Sequence, residues 1–213
     1  MGPNELEKQL ITKAIEGIIE HGFARVYNNG KRFWEWRNEH LADAAPGVEA
    51  HTGCTKAVFI IPGCDWVIKT PLHKRSNGQP SYCSIEADEF AAAANIGLQH
   101  YFAACYFFQE VNGIEFYVQE KADCMEDAYT DMFADYAKSV IDRDDYDDEE
   151  DYSCALYDFA YEIDSWDSTQ AIFGSCDKLQ HFCFNDFNLN DFHAANYGYV
   201  PGKGDVLIDY SGY

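Results

Sequence analysis

The sequence predicts an α+β fold in two parts: an antiparallel-sheet lobe over residues 1–122 and a small, reduced helical lobe over 123–213. Three observations carry that expectation. Two apolar hairpins are closed by Pro62-Gly63 and Asn112-Gly113, one Ala- and Glu-rich helix lies between them, and the remainder reads mostly as helix.

In chain order, Leu6, Leu10, Ile11, Ala14, Ile15, Ile18 and Ile19 fall at helical spacing, and Gly22 stops the run. Over 23–50, Phe33, Trp34 and Trp36 suggest a strand or a packed turn, and Pro46-Gly47 marks a loop. Residues 57–61 and 66–69 flank Pro62-Gly63, and 106–110 and 114–120 flank the tight-turn pair Asn112-Gly113. Residues 84–95 read as a helix ending before Gly97. Beyond them, 123–141 reads as a helix. Residues 142–151 hold eight carboxylates and one Arg, the pattern of a solvated acidic loop or a tail-like insertion. Residues 154–163 and 177–187 look helical, and 196–200 with 206–209 form a last hairpin around 201–204.

Composition narrows the function. Aromatics make up 16% of the 213 residues, enough for a folded core, and the formal charge is −22. That charge argues against a nucleic-acid or anionic-membrane partner, whose phosphates it repels. No run of eighteen apolar residues is present, so no membrane span is expected. The polar N-terminus lacks signal-peptide order, which points to a cytoplasmic location. Eight scattered cysteines with no Cys-x-x-Cys read as buried free thiols rather than a disulfide set.

The chemistry-bearing pattern lies near the end. Phosphoryl transfer needs a cation on the nucleotide phosphates, a carboxylate on metal and a second carboxylate at the attacking hydroxyl. Asp191 in Asp191-Phe192-His193-Ala194-Ala195-Asn196 stands five residues before Asn196, and the hairpin 197–207 delivers Asp209 after Val206-Leu207-Ile208. Upstream, Trp66-Val67-Ile68-Lys69 ends a strand on a lysine. Glu86 lies on the following helix as a partner for it, with Asp88 and Glu89 as alternatives. Taken singly, each is ordinary: a strand-ending lysine, a solvated glutamate, an Asp and an Asn in a loop.

In this order, these motifs resemble the protein-kinase-like superfamily over about residues 50–213. His193 is similar to the histidine of small-molecule and atypical kinases, and the ending 206–213 to small kinase-like proteins of phages and bacterial mobile elements. The resemblance implies ATP with magnesium in the cleft, Lys69 on phosphate, Glu86 orienting Lys69, Asp191 as catalytic base, and Asn196 and Asp209 on metal. It also implies nucleotide contacts from Gly53 in the loop Thr52-Gly53-Cys54-Thr55-Lys56 and, through backbone groups, from the hinge at Glu120 and Ala122. The chain departs from the pattern in three places: one glycine in that loop, Leu189-Asn190 before the base, and Tyr210-Ser211 after the metal Asp. Four residues follow Asp209, so no activation segment or peptide platform is expected. The expected function is an ATP- and magnesium-dependent phosphotransferase acting on a small molecule or a partner-presented substrate. The alternative is a degenerate kinase that serves as a nucleotide-binding or protein-interaction module. An acidic decoy that mimics DNA stands third.

Overall fold

In the computed structural model, which describes residues 2–26, 30–53, 55–72, 78–124, 126–174, 176–189 and 192–211, the chain begins with α1 (Glu5–Glu20). Asn4 and Glu7 form a reciprocal capping box at its start, and Ile11, Ile15 and Ile18 are its buried stripe. The aromatic stretch that suggested a strand or packed turn is instead a helix, α2 (Gly30–Ala44). Phe33, Trp36, Leu41 and Ala44 are buried from it at helical spacing, so periodicity prevails over the strand preference of aromatic residues. The two helices touch at Gly17, where an added Cβ would lie 1.9 Å from the Ala44 carbonyl oxygen. Trp36 Nε1 donates to the His21 carbonyl at 2.9 Å.

Five strands follow: β1 (Glu49–Thr52), β2 (Lys56–Ile60), β3 (Trp66–Pro71), β4 (Cys105–Val111) and β5 (Ile114–Glu120), with α3 (Tyr82–Asn95) between β3 and β4. They form one antiparallel sheet in the order β1-β2-β3-β5-β4. The four strands expected from the hairpins are all in it, and β1 joins at the edge. Asn112 (φ 54°) and Gly113 (φ 78°) both turn left-handed between β4 and β5, the conformation a two-residue hairpin needs. In the β2–β3 register, Val58 opposes Lys69 and Phe59 opposes Ile68. Lys56, Val58 and Lys69 therefore share one face, and Phe59 and Ile68 the other. Phe59 packs with Phe23, Phe33 and Trp36, its ring 5.8 Å from Phe23 and 6.2 Å from Trp36. Both faces of β3 are covered, and all six of its residues are buried.

The chain divides into two compact units, Met1–Gln99 with Ala103–Lys121, and His100–Phe102 with Ala122–Tyr213. The second unit contains β6 (Asp123–Cys124), α4 (Glu126–Val140), α5 (Glu149–Phe173), α6 (Asp177–His181), β7 (Tyr197–Val200) and β8 (Gly204–Leu207), with the sheet order β6-β7-β8. Two expectations are corrected here. The helix read over 123–141 starts later, because 123–124 pair with β7 as a strand. The acidic stretch 142–151 is not a loop throughout. Asp148 caps α5 by accepting from the Asp151 N–H at 2.8 Å, and Glu149, Glu150 and Asp151 form its first turn, where the helix dipole favours carboxylates. The helix read over 154–163 is thus the middle of a 25-residue helix. The one read over 177–187 is α6 running into a π turn at Phe182–Asp186. The core of this unit centres on Phe102, whose ring lies 5.8 Å from Phe182 and 5.1 Å from Tyr210.

No helix among the described residues is long and apolar enough to cross a membrane. Cys64, Cys83, Cys105 and Cys183 are buried free thiols, and Cys124 and Cys154 are exposed ones.

Candidate functional site

In the first unit, Lys69 projects from β3 and Glu86 from α3, a helix capped by Ser81, whose Oγ accepts from the Ser84 N–H at 3.1 Å. Lys69 Nζ lies 2.9 Å from Glu86 Oε2, the ion pair expected from the sequence. Of the alternatives, Asp88 is exposed, whereas Glu89 is buried one turn along α3. Sequence reasoning missed a third member. Lys56, the first residue of β2, lies 2.7 Å from Glu86 Oε1, so one carboxylate carries an ammonium on each oxygen. Glu86 is 0% exposed, and the side chains of Lys56 and Lys69 are each 6% exposed. A fully buried carboxylate is tolerated only when it is paired, and here it is paired twice. Burial pushes the Cys83 and Cys105 thiols up, with Glu86 adding to the effect, so both stay neutral beside the cluster.

The nucleotide-contact residues expected around this cluster are arranged unequally. A Cβ on Gly53 would meet nothing within 4 Å, which leaves room at that point for a ligand to approach the backbone. The Glu120 N–H donates to the Ala104 carbonyl at 2.8 Å, and the Lys121 N–H to the Asp65 carbonyl at 2.8 Å. Glu120 Oε2 accepts from the Ala104 N–H at 3.2 Å. The Glu120 and Lys121 amides are thus engaged within the first unit, and Ala122, in the second, is half-buried. Gln119, just before the hinge, is 2% exposed, and its Nε2 has no hydrogen-bond partner among the described residues. It opposes Val67, two residues from Lys69 on the same sheet face. A buried donor lacking an acceptor suits a face that takes up a ligand with acceptor atoms.

In the second unit, the β7–β8 hairpin brings Asp209 back to Asn196. The Asn196 carbonyl accepts from the Ile208 N–H at 2.8 Å and the Asp209 N–H at 3.3 Å. Asn196 is buried and Asp209 half-buried. Asp191 lies outside the described residues. The turn just after it in the chain is held by a residue that carries no signal of its own in the sequence. Asp164 on α5 is buried, and its Oδ1 accepts from the Ala194 N–H at 2.8 Å and from the Ser168 hydroxyl at 2.9 Å. His193 Nδ1 accepts from the Ala195 N–H at 3.3 Å, and its ring lies 5.7 Å from that of Tyr161. As oxygen donors, Asn196 and Asp209 suit a hard divalent cation in kind. Among the described residues, no group of three His, Cys, Asp or Glu stands together as a ready cation site.

No protein-family model, curated protein or solved structure matches this chain.

Proposed function

We propose that this chain is a protein-kinase-like phosphotransferase that takes ATP with magnesium and passes the terminal phosphoryl group to a small molecule or a partner-presented substrate. The observation that carries the reading is the buried ion pair between Lys69 on the third strand and Glu86 on the following helix. A desolvated lysine fixed by a carboxylate is an aimed cation, and phosphoryl transfer relies on positioning and charge stabilisation more than on covalent help. Lys69 holds phosphate oxygens and Glu86 keeps its ammonium in place. Asp191 orients the acceptor hydroxyl and takes its proton as the new O–P bond forms and the bond to the departing ADP oxygen breaks. Asn196 and Asp209 would hold magnesium, which supplies neutralising charge to the phosphates. The Gln119 amide fits a nucleotide in that it offers a buried donor on the sheet face that carries Lys69.

The test is melting of the purified chain with ATP, with and without magnesium, alongside release of labelled phosphate. A ligand that binds only the native state at 100 times its Kd stabilises by about 2.7 kcal/mol, a shift that is easily read. An unchanged melting temperature at millimolar ATP and magnesium refutes the reading. A second reading, a nucleotide-binding or interaction module without turnover, draws on exposed ring surface along α5: Tyr157 is 71% and Trp166 65% exposed. Nucleotide-dependent stabilisation with no phosphate transfer or release, unaffected by Asp191→Ala, would select it.

A further inference from the structure

We propose that the exposed tyrosine face of α5 is a docking surface for an arginine-bearing segment of a partner protein. The proposal concerns the second unit alone and holds whether or not the chain binds a nucleotide.

Three observations carry it. The first is an aromatic stripe. Tyr157 and Tyr161 stand about one helical turn apart, 71% and 41% exposed, with ring centroids 6.4 Å apart and planes 16° from parallel. Further along the same helix face, Asp164 and Ser168 are buried where Asp164 accepts from the Ala194 N–H. Tyr161, 5.7 Å from the His193 ring, marks the edge of that covered stretch, and Tyr157 lies beyond it. The second observation is charge. The 25-residue helix carries seven carboxylates and no Lys, Arg or His. Asp151, Asp158 and Glu162 are all exposed and form a single line down the helix. Successive helical residues lie about 100° apart around the axis, so this line runs directly beside the tyrosines. The third is chemistry already present at the start of α5. Arg143 Cζ sits 5.4 Å over the Tyr152 ring while its Nε lies 3.1 Å from Glu149 Oε2. One guanidinium thus uses a carboxylate and the tyrosine three residues after it together. Asp158 and Tyr161 repeat that spacing on the exposed face.

Charge decides the occupant. A second copy of this chain, with its net charge of −22, would set carboxylates against carboxylates. A purely apolar partner would desolvate the carboxylate line and supply no counter-charge. Arginine stacks on tyrosine and pairs with carboxylate at once, which lysine does less well.

The experiment measures peptide binding to the full chain by calorimetry. The probes are an amphipathic peptide of about 15 residues with arginines along one face, its lysine counterpart and its glutamine counterpart. The arginine peptide should bind about three- to tenfold more tightly than the lysine peptide, and the glutamine peptide should not bind. Tyr157→Ala with Tyr161→Ala should abolish the arginine preference. Asp151→Asn, Asp158→Asn and Glu162→Gln together should weaken the arginine peptide about tenfold or more. A charge-matched variant of the first unit, Glu16→Gln, Glu20→Gln and Glu35→Gln, should weaken it less than about threefold, since charges far from the site are screened. All the altered side chains are exposed, so the variants should melt as the unaltered chain does. Equal weakening by the two charge sets would mean attraction by net charge alone and would overturn the proposal. So would an arginine preference that survives loss of both tyrosines, equal binding of the glutamine peptide, or no binding of the arginine peptide. Self-association of the chain that depends on Tyr157 would overturn it too, in favour of a second copy.

Discussion

Replacing Glu86 with glutamine tests the electrostatics of the first unit most directly. The substitution keeps the size of the side chain and removes the one charge that both lysines share at 2.7 and 2.9 Å. With the ammonium groups roughly 5 Å apart across a carboxylate's width and an effective dielectric near 20, their bare repulsion is about 3 kcal/mol. Removing one member of a buried ion pair costs about 3–5 kcal/mol, and the two estimates agree. With an m-value of about 2 kcal/mol/M, the urea midpoint should fall by roughly 1.5–2.5 M. Urea is the right denaturant, because guanidinium would screen the interaction under study. Because each lysine backs up the other, Lys56→Met and Lys69→Met should each cost only about 1.5 kcal/mol. The double variant strips Glu86 of both and should exceed their sum by about 1–2 kcal/mol. A Glu86→Gln loss below about 1 kcal/mol, or lysine losses that add within about 0.5 kcal/mol, would refute the shared-carboxylate account.

Other outcomes follow from the same structure. Asp164→Leu leaves the buried Ala194 N–H without its acceptor and should destabilise the second unit by about 1–3 kcal/mol, read as faster amide exchange at 194–196, whereas Asp164→Asn should keep most of the contact. Gly17→Ala places a methyl group against the Ala44 carbonyl and should cost about 1–3 kcal/mol by chemical denaturation; a neutral result would mean that α1 and α2 separate freely. Tyr117, whose hydroxyl donates to Glu115 Oε2 at 3.2 Å, is pushed up to about 12 by burial, with Glu115 adding to the effect. Since the folded value lies above the unfolded one near 10, its contribution is intact below pH 10 and lost between about pH 10 and 12. Absorbance near 295 nm should show late-ionising tyrosine, and Tyr117→Phe should remove part of that late absorbance.

Much of the first unit could be read from the sequence because its signals are local. Asn112-Gly113 and Pro62-Gly63 each sit between apolar runs; the first is a two-residue turn that fixes the pairing of β4 with β5, and the second lies in the longer loop that joins β2 to β3. The α2 helix was hidden by Phe33, Trp34 and Trp36, whose preference for strands masks, in the sequence alone, the helical spacing of the buried positions that prevails in the fold. The start of α5 was hidden because a run of carboxylates looks the same in a solvated loop and in a helical first turn. Lys69 and Glu86 stood out through their order along the chain. Lys56 did not, because it reads as the end of a loop until the β2–β3 register, which pairs Lys69 with Val58, sets it on the same face as Lys69 two residues away. Asp164 carries no local signal at all, since its partner Ala194 is 30 residues away.

For the ATP of the proposed reading, the net charge of −22 and the buried Lys69 would pull in opposite directions, and distance decides between them. Thirty-seven carboxylates are spread along the chain, eight of them within 142–151. At physiological salt, charges in water more than about 8 Å away are largely screened, so most of that negative surface has little effect at a given point. On the proposed reading, Lys69 would meet a phosphate at hydrogen-bond range on a face with little water, where the same charge counts several-fold more. That attraction would survive the overall charge. On the proposed phosphotransferase reading, an extended polyanion such as nucleic acid would have to lay its charges along the acidic surface itself, at close range, whereas a compact phosphate would meet that surface at few points.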